Sequence, residues 1–410
     1  MQKNIWIIAA KFPNTIQPWL ANSVIQAALH GNHVRVISTQ PGDKIYASKL
    51  DELNLTANTI YIPLGGKDRK RNIFRNFLVP SFLIRSLKGL IRIPKYLSQY
   101  RSASTNIVSS LNLAPYITDQ NISLIHCHSE PAGHQLLPII RAQKCPVVIT
   151  FHGLPPVGVR PLSEHQRAEY TNLANIILVN TEFAKKQYIS LGASSDKLRI
   201  MPQGTDTNRF ALAEKSDPTS GPIKILSVGR FHPDKGHEYA LTAIARLTRK
   251  GFDLDYTLVG SGPEKTRLEA FAKEQGLKDK VHFRSGLSEE ELITEYQNAH
   301  IFLFPSVKSK DGFHEETQGV AIQEAQACGA IVISTFTGGI PECVINGENA
   351  YLVEDRNSDA IETQLGSLIE QVHEWPEIRS RARLWVEENY DISVIGNRMQ
   401  SLYDELIQIK

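Results

Sequence analysis

The chain has 410 residues, beyond the size at which a single hydrophobic core keeps growing, so two domains are expected. With 41% hydrophobic and 21% charged residues it reads as an ordinary soluble globular protein, and a net charge of +2 argues neither for nor against nucleic acid. Its four cysteines (Cys127, Cys145, Cys328, Cys343) form no CxxC pair, which points to buried thiols in a reducing compartment and away from a disulfide scaffold.

The N-terminus, MQKNIWIIAAKFP, superficially resembles a signal peptide, but its apolar run spans only Ile5 to Ala10 before Lys11 and reads as a first buried strand. No run approaches the length needed to cross a bilayer, so a cytoplasmic location is expected. Short apolar runs then alternate with longer helix-patterned segments, the signature of parallel α/β layers. Candidate strands fall at 4–10, 33–38, 59–63, 124–128, 146–151, 175–180 and 197–202, and again at 223–229, 255–260, 280–285, 301–306, 331–335 and 350–354. Between the two sets lies 211–222, polar and rich in Pro, Ser and Gly, which reads as a linker. The expectation is two doubly wound domains, 1–213 and 221–380, followed by a helical tail, 381–410. Ligands of such sheets bind beyond the C-terminal strand ends, so a cleft between two facing sheets is the default active site.

Residues 67–101 carry ten Lys/Arg and one acid interleaved with apolar residues. That pattern suits an anionic membrane surface or a phospholipid-linked acceptor, and equally a solvated helix pair whose apolar side joins the core. His126 and His128 share one face at a strand end, where a metal is conceivable but no third ligand is near in sequence. His152, in TFHGLPP, stands at the C-terminal end of a strand before Gly153 and is either functional or structural.

In the second half, SVGRFHPDKGHEYAL (227–241) follows a strand and opens a helix, holding Arg230 and Lys235 on a tight connection. Two permanent cations at that spacing suit a diphosphate with no metal to neutralise it; the alternative is a solvated loop. The DxD of 252–255 enters a strand at the edge opposite the ligand side and reads as solvated strand entry. Gly260 and Gly262, in VGSGPEKTRL, lack the third glycine of a dinucleotide fingerprint, and read as a turn allowing close backbone approach to a ligand. Finally, EETQGVAIQEAQACG (315–329) places Glu316 in a loop before a helix start and Glu324 inside a small, apolar helix. A carboxylate there is costly unless something hydrogen-bonds it, and the helix start is a natural anion site. An acid, exposed amides and a second acid suit a sugar–phosphate; a capping acid plus a core-paired Glu is the plainer alternative.

Taken in order, these segments resemble the retaining GT-B glycosyltransferases of family 4 (glycosyl transferases group 1), in the branch that assembles exopolysaccharides. The resemblance rests on SVGRFHPDKGHEYAL, VGSGPEKTRL, VHFRSGLSEEEL, the pair Glu316 and Glu324, EAQACG and GGIPECVINGENAYLV. The first half adds IHCHSEPAG, VVITFHG, NTEFAKKQYISLG and RIMPQGTDTNRF, and the tail ENYDISVIGNRMQSLYDEL resembles the segment that crosses back to the N-terminal domain. The resemblance implies two Rossmann-like domains facing across a cleft, acceptor-binding first and nucleotide-sugar-binding second. It implies transfer of a hexose-type sugar from a UDP- or GDP-sugar to a glycan or lipid-linked glycan at the inner face of the cytoplasmic membrane. No metal, no cofactor and no nucleic-acid partner are implied.

By resemblance, Arg230 and Lys235 neutralise the diphosphate, Glu324 accepts from the ribose hydroxyls and Glu316 contacts the transferred sugar. Amides near Gly319 and Val320 hold phosphate or sugar oxygens, His152 approaches the sugar, Arg284 lies against the base, and Gly260 and Gly262 admit the nucleotide. Two departures fall on the acceptor and sugar side. Phe12-Pro13 is followed by Asn14-Thr15-Ile16-Gln17-Pro18-Trp19-Leu20 where relatives often read FPxxSETFI, and Pro155 stands where many carry Asp. A phosphorylase, a nucleotide-sugar epimerase and a non-catalytic sugar-nucleotide binder are the competing readings.

Overall fold

The computed structural model describes residues 2–14, 18–43, 48–63, 121–154, 161–213, 221–308 and 315–408, with the short pieces 70, 78, 83–88, 91 and 114–116. Most of the basic segment 67–101 lies outside the described residues, as do Pro155 and the loop 309–314.

The chain divides into two compact units. One comprises Met1–Val179, Lys185–Met201 and Gly396–Lys410; the other comprises Asn180–Ala184 and Pro202–Ile395. The sequence placed the boundaries at 213/221 and at 381; this division falls instead at 201/202 and 395/396, with short excursions between 180 and 184.

Each unit is built on a parallel sheet, and all thirteen expected strands are present. In the first unit, β1 (Asn4–Phe12), β2 (His33–Pro41), β3 (Ile60–Tyr61), β4 (Leu124–Cys127), β5 (Val147–Phe151), β6 (Ile176–Val179) and β7 (Leu198–Ile200) lie in the order β3-β2-β1-β4-β5-β6-β7. In the second, β8 (Ile223–Val228), β9 (Leu254–Val259), β10 (Val281–Arg284), β11 (Ile301–Phe304), β12 (Ile331–Thr335) and β13 (Ala350–Val353) run β10-β9-β8-β11-β12-β13. Both orders reverse direction once, between β1 and β4 and between β8 and β11, which makes those strand ends the topological switch points.

The near-continuous apolar runs have a direct cause: these strands are buried on both faces. In the second sheet Ile225, Leu303, Ile331 and Ile333 face one core with Leu241, Ile244 and Trp375. The alternate residues Leu226, Phe302 and Val332 face another core with Ile322, Val386 and Tyr390. The apolar run that Lys11 was expected to end continues as strand to Phe12, with Lys11 ion-paired to Asp43. The last helix, Ile392–Gln408, delivers Leu402, Tyr403 and Leu406 into the core of the first unit beside Ile7, Val24 and Val148. Among the described residues no helix is long and apolar enough to cross a membrane.

Candidate functional site

The switch point of the second unit collects most of the candidate residues. After β8 the chain makes a single 3-10 turn, Pro233–Lys235, and enters the helix His237–Arg249 through Gly236. Gly236 has φ +61°, and a Cβ there would lie 2.0 Å from the carbonyl oxygen of Pro305, so glycine is required to press this turn against the end of β11. His237 is buried beneath the turn, with Nε2 3.2 Å from the Arg230 carbonyl; burial lowers its pKa to about 4, so the ring is neutral.

This turn aims Lys235 at Glu316. The ammonium Nζ sits 2.5 Å from Glu316 Oε2 and 5.2 Å from the centroid of the Phe304 ring. Arg230 is looser. Its side chain is 46% exposed, against 16% for Lys235, and among the described residues it makes a 3.4 Å ion pair with Asp234. Asp234 also accepts from His232 Nδ1 at 2.6 Å.

The loop that presents Glu316 is held by its backbone. Gly339 N–H donates to the Glu316 carbonyl at 2.8 Å, and a Cβ on Gly338 would lie 2.1 Å from the same oxygen. Gln318 exchanges hydrogen bonds with the backbone of Gln203, receiving at 2.7 Å and donating at 2.9 Å. Thr181 Oγ1 donates to the Thr317 carbonyl at 2.9 Å. The glycines of GGIPE thus back the Glu316 loop. Gly319, at φ +78°, then opens the helix Val320–Ala327, and no side chain caps that start among the described residues.

Glu324 lies one turn into this helix. Its partner is the hydroxyl of the buried Tyr296, which donates to Oε2 at 2.8 Å. Burial raises the Glu324 pKa to about 7; the Tyr296 hydrogen bond pulls it down and the nearby Glu289 carboxylate adds to the rise. Glu289 itself is paired to Arg209 at 2.7 Å.

Gly260 and Gly262 do permit a close approach, and the backbone that approaches is the chain's own. A Cβ on Gly260 would lie 1.8 Å from the Gly229 carbonyl oxygen, and one on Gly262 2.4 Å from that of Phe231. The two loops are cross-linked by Phe231 N–H to the Ser261 carbonyl and Glu264 N–H to the Phe231 carbonyl. Gly260→Ala is therefore expected to cost about 1–3 kcal/mol, read as a lowered unfolding midpoint, because the Arg230 loop has to move away. Arg284 is ion-paired with Glu295, at the end of β10. The DxD residues Asp253 and Asp255 stand at the start of β9, paired with Lys280 and His282.

In the first unit, the ends of β4 and β5 carry His128 and His152, whose Nδ1 and Nε2 atoms are 3.2 Å apart. Trp19 packs on His152 with ring centroids 3.8 Å apart. Burial lowers the His152 pKa well below its usual value, and the neighbouring His128 adds to the shift. His126, expected to share a face with His128, does so at 3.9 Å between centroids, but its two nitrogens are taken by Tyr403 and Thr150. Among the described residues no group of three or more His, Cys, Asp or Glu side chains is placed to hold a metal ion.

Sequence reasoning missed Tyr296, Phe304, Asp234 and Trp19. Asp234 lay within a motif already singled out and Trp19 within the departure that follows Phe12-Pro13; Tyr296 and Phe304 are joined to the site by folding alone.

The family model for glycosyl transferases group 1 matches residues 208–385, and that for Glycosyltransferase Family 4 matches 26–209. The putative colanic acid biosynthesis glycosyltransferase WcaL of Escherichia coli (strain K12) is 26% identical, over 97% of this chain and 98% of its own. The amylovoran biosynthesis glycosyltransferase AmsK of Erwinia amylovora is 25% identical, over 97% and 98%. Among solved structures, Anabaena Alr3699/HepE in complex with UDP superposes with a TM-score of 0.72 at 16% identity, covering 99% of this chain and 100% of that one. The two family models meet at residues 208–209 and between them span both Rossmann-like units, so the chain belongs to glycosyltransferase family 4 and has the GT-B fold.

Proposed function

We propose that this glycosyltransferase moves a hexose-type sugar from a UDP- or GDP-linked donor to a hydroxyl of a glycan or lipid-linked glycan during polysaccharide assembly, with retention at the anomeric carbon. The observation that carries the proposal is the meeting of Lys235 and Glu316 at 2.5 Å, beside a helix start that no described side chain caps. The similarity to WcaL and AmsK, named for colanic acid and amylovoran biosynthesis, supports the polymer class. The likeness to a fold solved with UDP and with UDP-glucose supports the donor class.

In this reading Lys235 and Arg230 neutralise the diphosphate as negative charge accumulates on it, which favours the transition state over the ground state. Amides at Gly319 and Val320 add the positive end of a helix. Glu324 accepts from the ribose hydroxyls and Glu316 from the transferred sugar, His152 contacts a sugar hydroxyl, and Arg284 flanks the base. Gly260 and Gly262 keep the Arg230 loop close enough to serve the nucleotide. The acceptor attacks from the face the diphosphate leaves, and a phosphate oxygen takes its proton.

The acceptor side is assigned to the cytoplasmic face of a membrane. Support comes from the helical residues Ile84, Leu87 and Ile91, exposed at 58%, 50% and 80%, with exposed Arg85 and Lys88 beside them.

The test is to incubate the protein with UDP-glucose, UDP-galactose, UDP-N-acetylglucosamine or GDP-mannose in excess EDTA, following donor hydrolysis and transfer to lipid-linked glycan extracts. One donor is expected to be consumed with EDTA present, because two fixed cations supply the charge a divalent ion would bring. Activity lost to EDTA and restored by magnesium would overturn the metal-independent part. Binding of every donor with neither hydrolysis nor transfer would overturn the catalytic part.

A further inference from the structure

The proposed chemistry uses His152 but leaves its surroundings unexplained. His128 is 8% exposed, and its ring lies nearly parallel to that of His152, with centroids 5.4 Å apart and 13° between the planes. Its Nδ1 faces His152 Nε2 at 3.2 Å, and its Nε2 is buried with no hydrogen-bond partner among the described residues. Behind it, His126 is held by the Tyr403 hydroxyl at 2.7 Å and Thr150 Oγ1 at 2.6 Å, so it has no nitrogen to offer. Trp19 covers the His152 ring from another side.

Burial lowers the pKa of all three imidazoles, that of His128 to about 3, so each is neutral and carries one proton. The contact between Nδ1 of His128 and Nε2 of His152 needs one proton, and either ring could supply it. If His152 donated, the His128 proton would sit on Nε2, an orphaned buried N–H, which folded proteins avoid more strictly than an idle lone pair. With the proton on Nδ1, His128 donates to His152 Nε2 and leaves only a lone pair unpaired.

We propose that His128 is a positioning residue that locks His152 in the Nδ1–H tautomer, so that His152 meets its ligand as a hydrogen-bond donor and not as a base. The tautomer stands on the geometry above; its use on a sugar hydroxyl rests on the function proposed for His152.

A long-range 1H–15N correlation spectrum of the full chain, labelled at histidine, reads this directly. The signals of His152 are identified by their loss in His152→Gln. The expected pattern is a protonated Nδ1 and an unprotonated Nε2. In His128→Phe that pattern should give way to a mixture of tautomers, with kcat lowered about tenfold and the donor KM little changed. His128→Asn, whose amide can donate from near the Nδ1 position, should restore both. A protonated Nε2 on wild-type His152 would overturn the proposal, and this needs no variant at His128 to fold. If the pattern is as expected but His152→Gln transfers sugar normally, the sugar role of His152 falls and the tautomer assignment stands.

Discussion

Lys235→Ala is expected to lower turnover at least about a hundredfold, or about 2.7 kcal/mol of transition-state stabilisation, the scale of removing one preorganised charge donor. Lys235 is mostly withdrawn from water, lies over the Phe304 ring and is held by Glu316, so little reorganisation is needed when a diphosphate arrives. Its removal also leaves Glu316 without its counter-charge beside the incoming phosphates. The double variant Lys235→Ala/Glu316→Gln should therefore bind donor better than Lys235→Ala alone, while remaining slow. Arg230→Ala should also cost about a hundredfold if the guanidinium leaves the weak 3.4 Å contact with Asp234 for the diphosphate. Transfer rates like wild type in both single variants would discard the diphosphate assignment.

The second large effect concerns Glu324 and pH. A carboxylate that accepts from two ribose hydroxyls has to be ionised, and burial pushes the pKa of this one up to about 7. Donor affinity, measured by calorimetry with a nucleotide sugar, should therefore fall about tenfold between pH 8 and pH 6. Tyr296 donates to the group, and Glu289, itself paired to Arg209, lies close enough to add to its rise.

The effect on folding has the opposite sign to that of a salt-bridged acid. Between the ordinary value of 4.5 and about 7 the native state holds a proton that the unfolded chain has lost. Stability is therefore greatest at the acid end of this window and declines as pH rises through it, by about 3 kcal/mol in all. Glu324→Gln should raise the unfolding midpoint at pH 8, abolish the affinity change with pH and weaken donor binding. An affinity independent of pH between 6 and 8 would remove Glu324 from the ribose.

The strands were legible because burial on both faces writes uninterrupted runs such as 301–304 and 331–335 into the chain. Glu324 was legible for the complementary reason, a charge where the pattern calls for none. Its partner was not: Tyr296 lies 28 residues earlier, in a helix whose pattern treats it as ordinary core. Trp19, at the start of the helix Pro18–Leu29 that follows β1, and His128, just after β4, reach His152 because the strand order β1-β4-β5 sets these connections side by side. The glycines at 260 and 262 announced a close approach without saying of what; Gly229 and Phe231 supply the answer. The tail was recognisable, but not the point where it changes units, because Trp375, Val386 and Tyr390 look no different from residues that serve the first core.

That late return imposes an order on biogenesis. Leu402, Tyr403 and Leu406 are structural members of the unit that is translated first, and Tyr403 supports His126 beneath the His128–His152 pair. In a nascent polypeptide the first unit thus waits, with an apolar furrow uncovered, until the helix Ile392–Gln408 has been made.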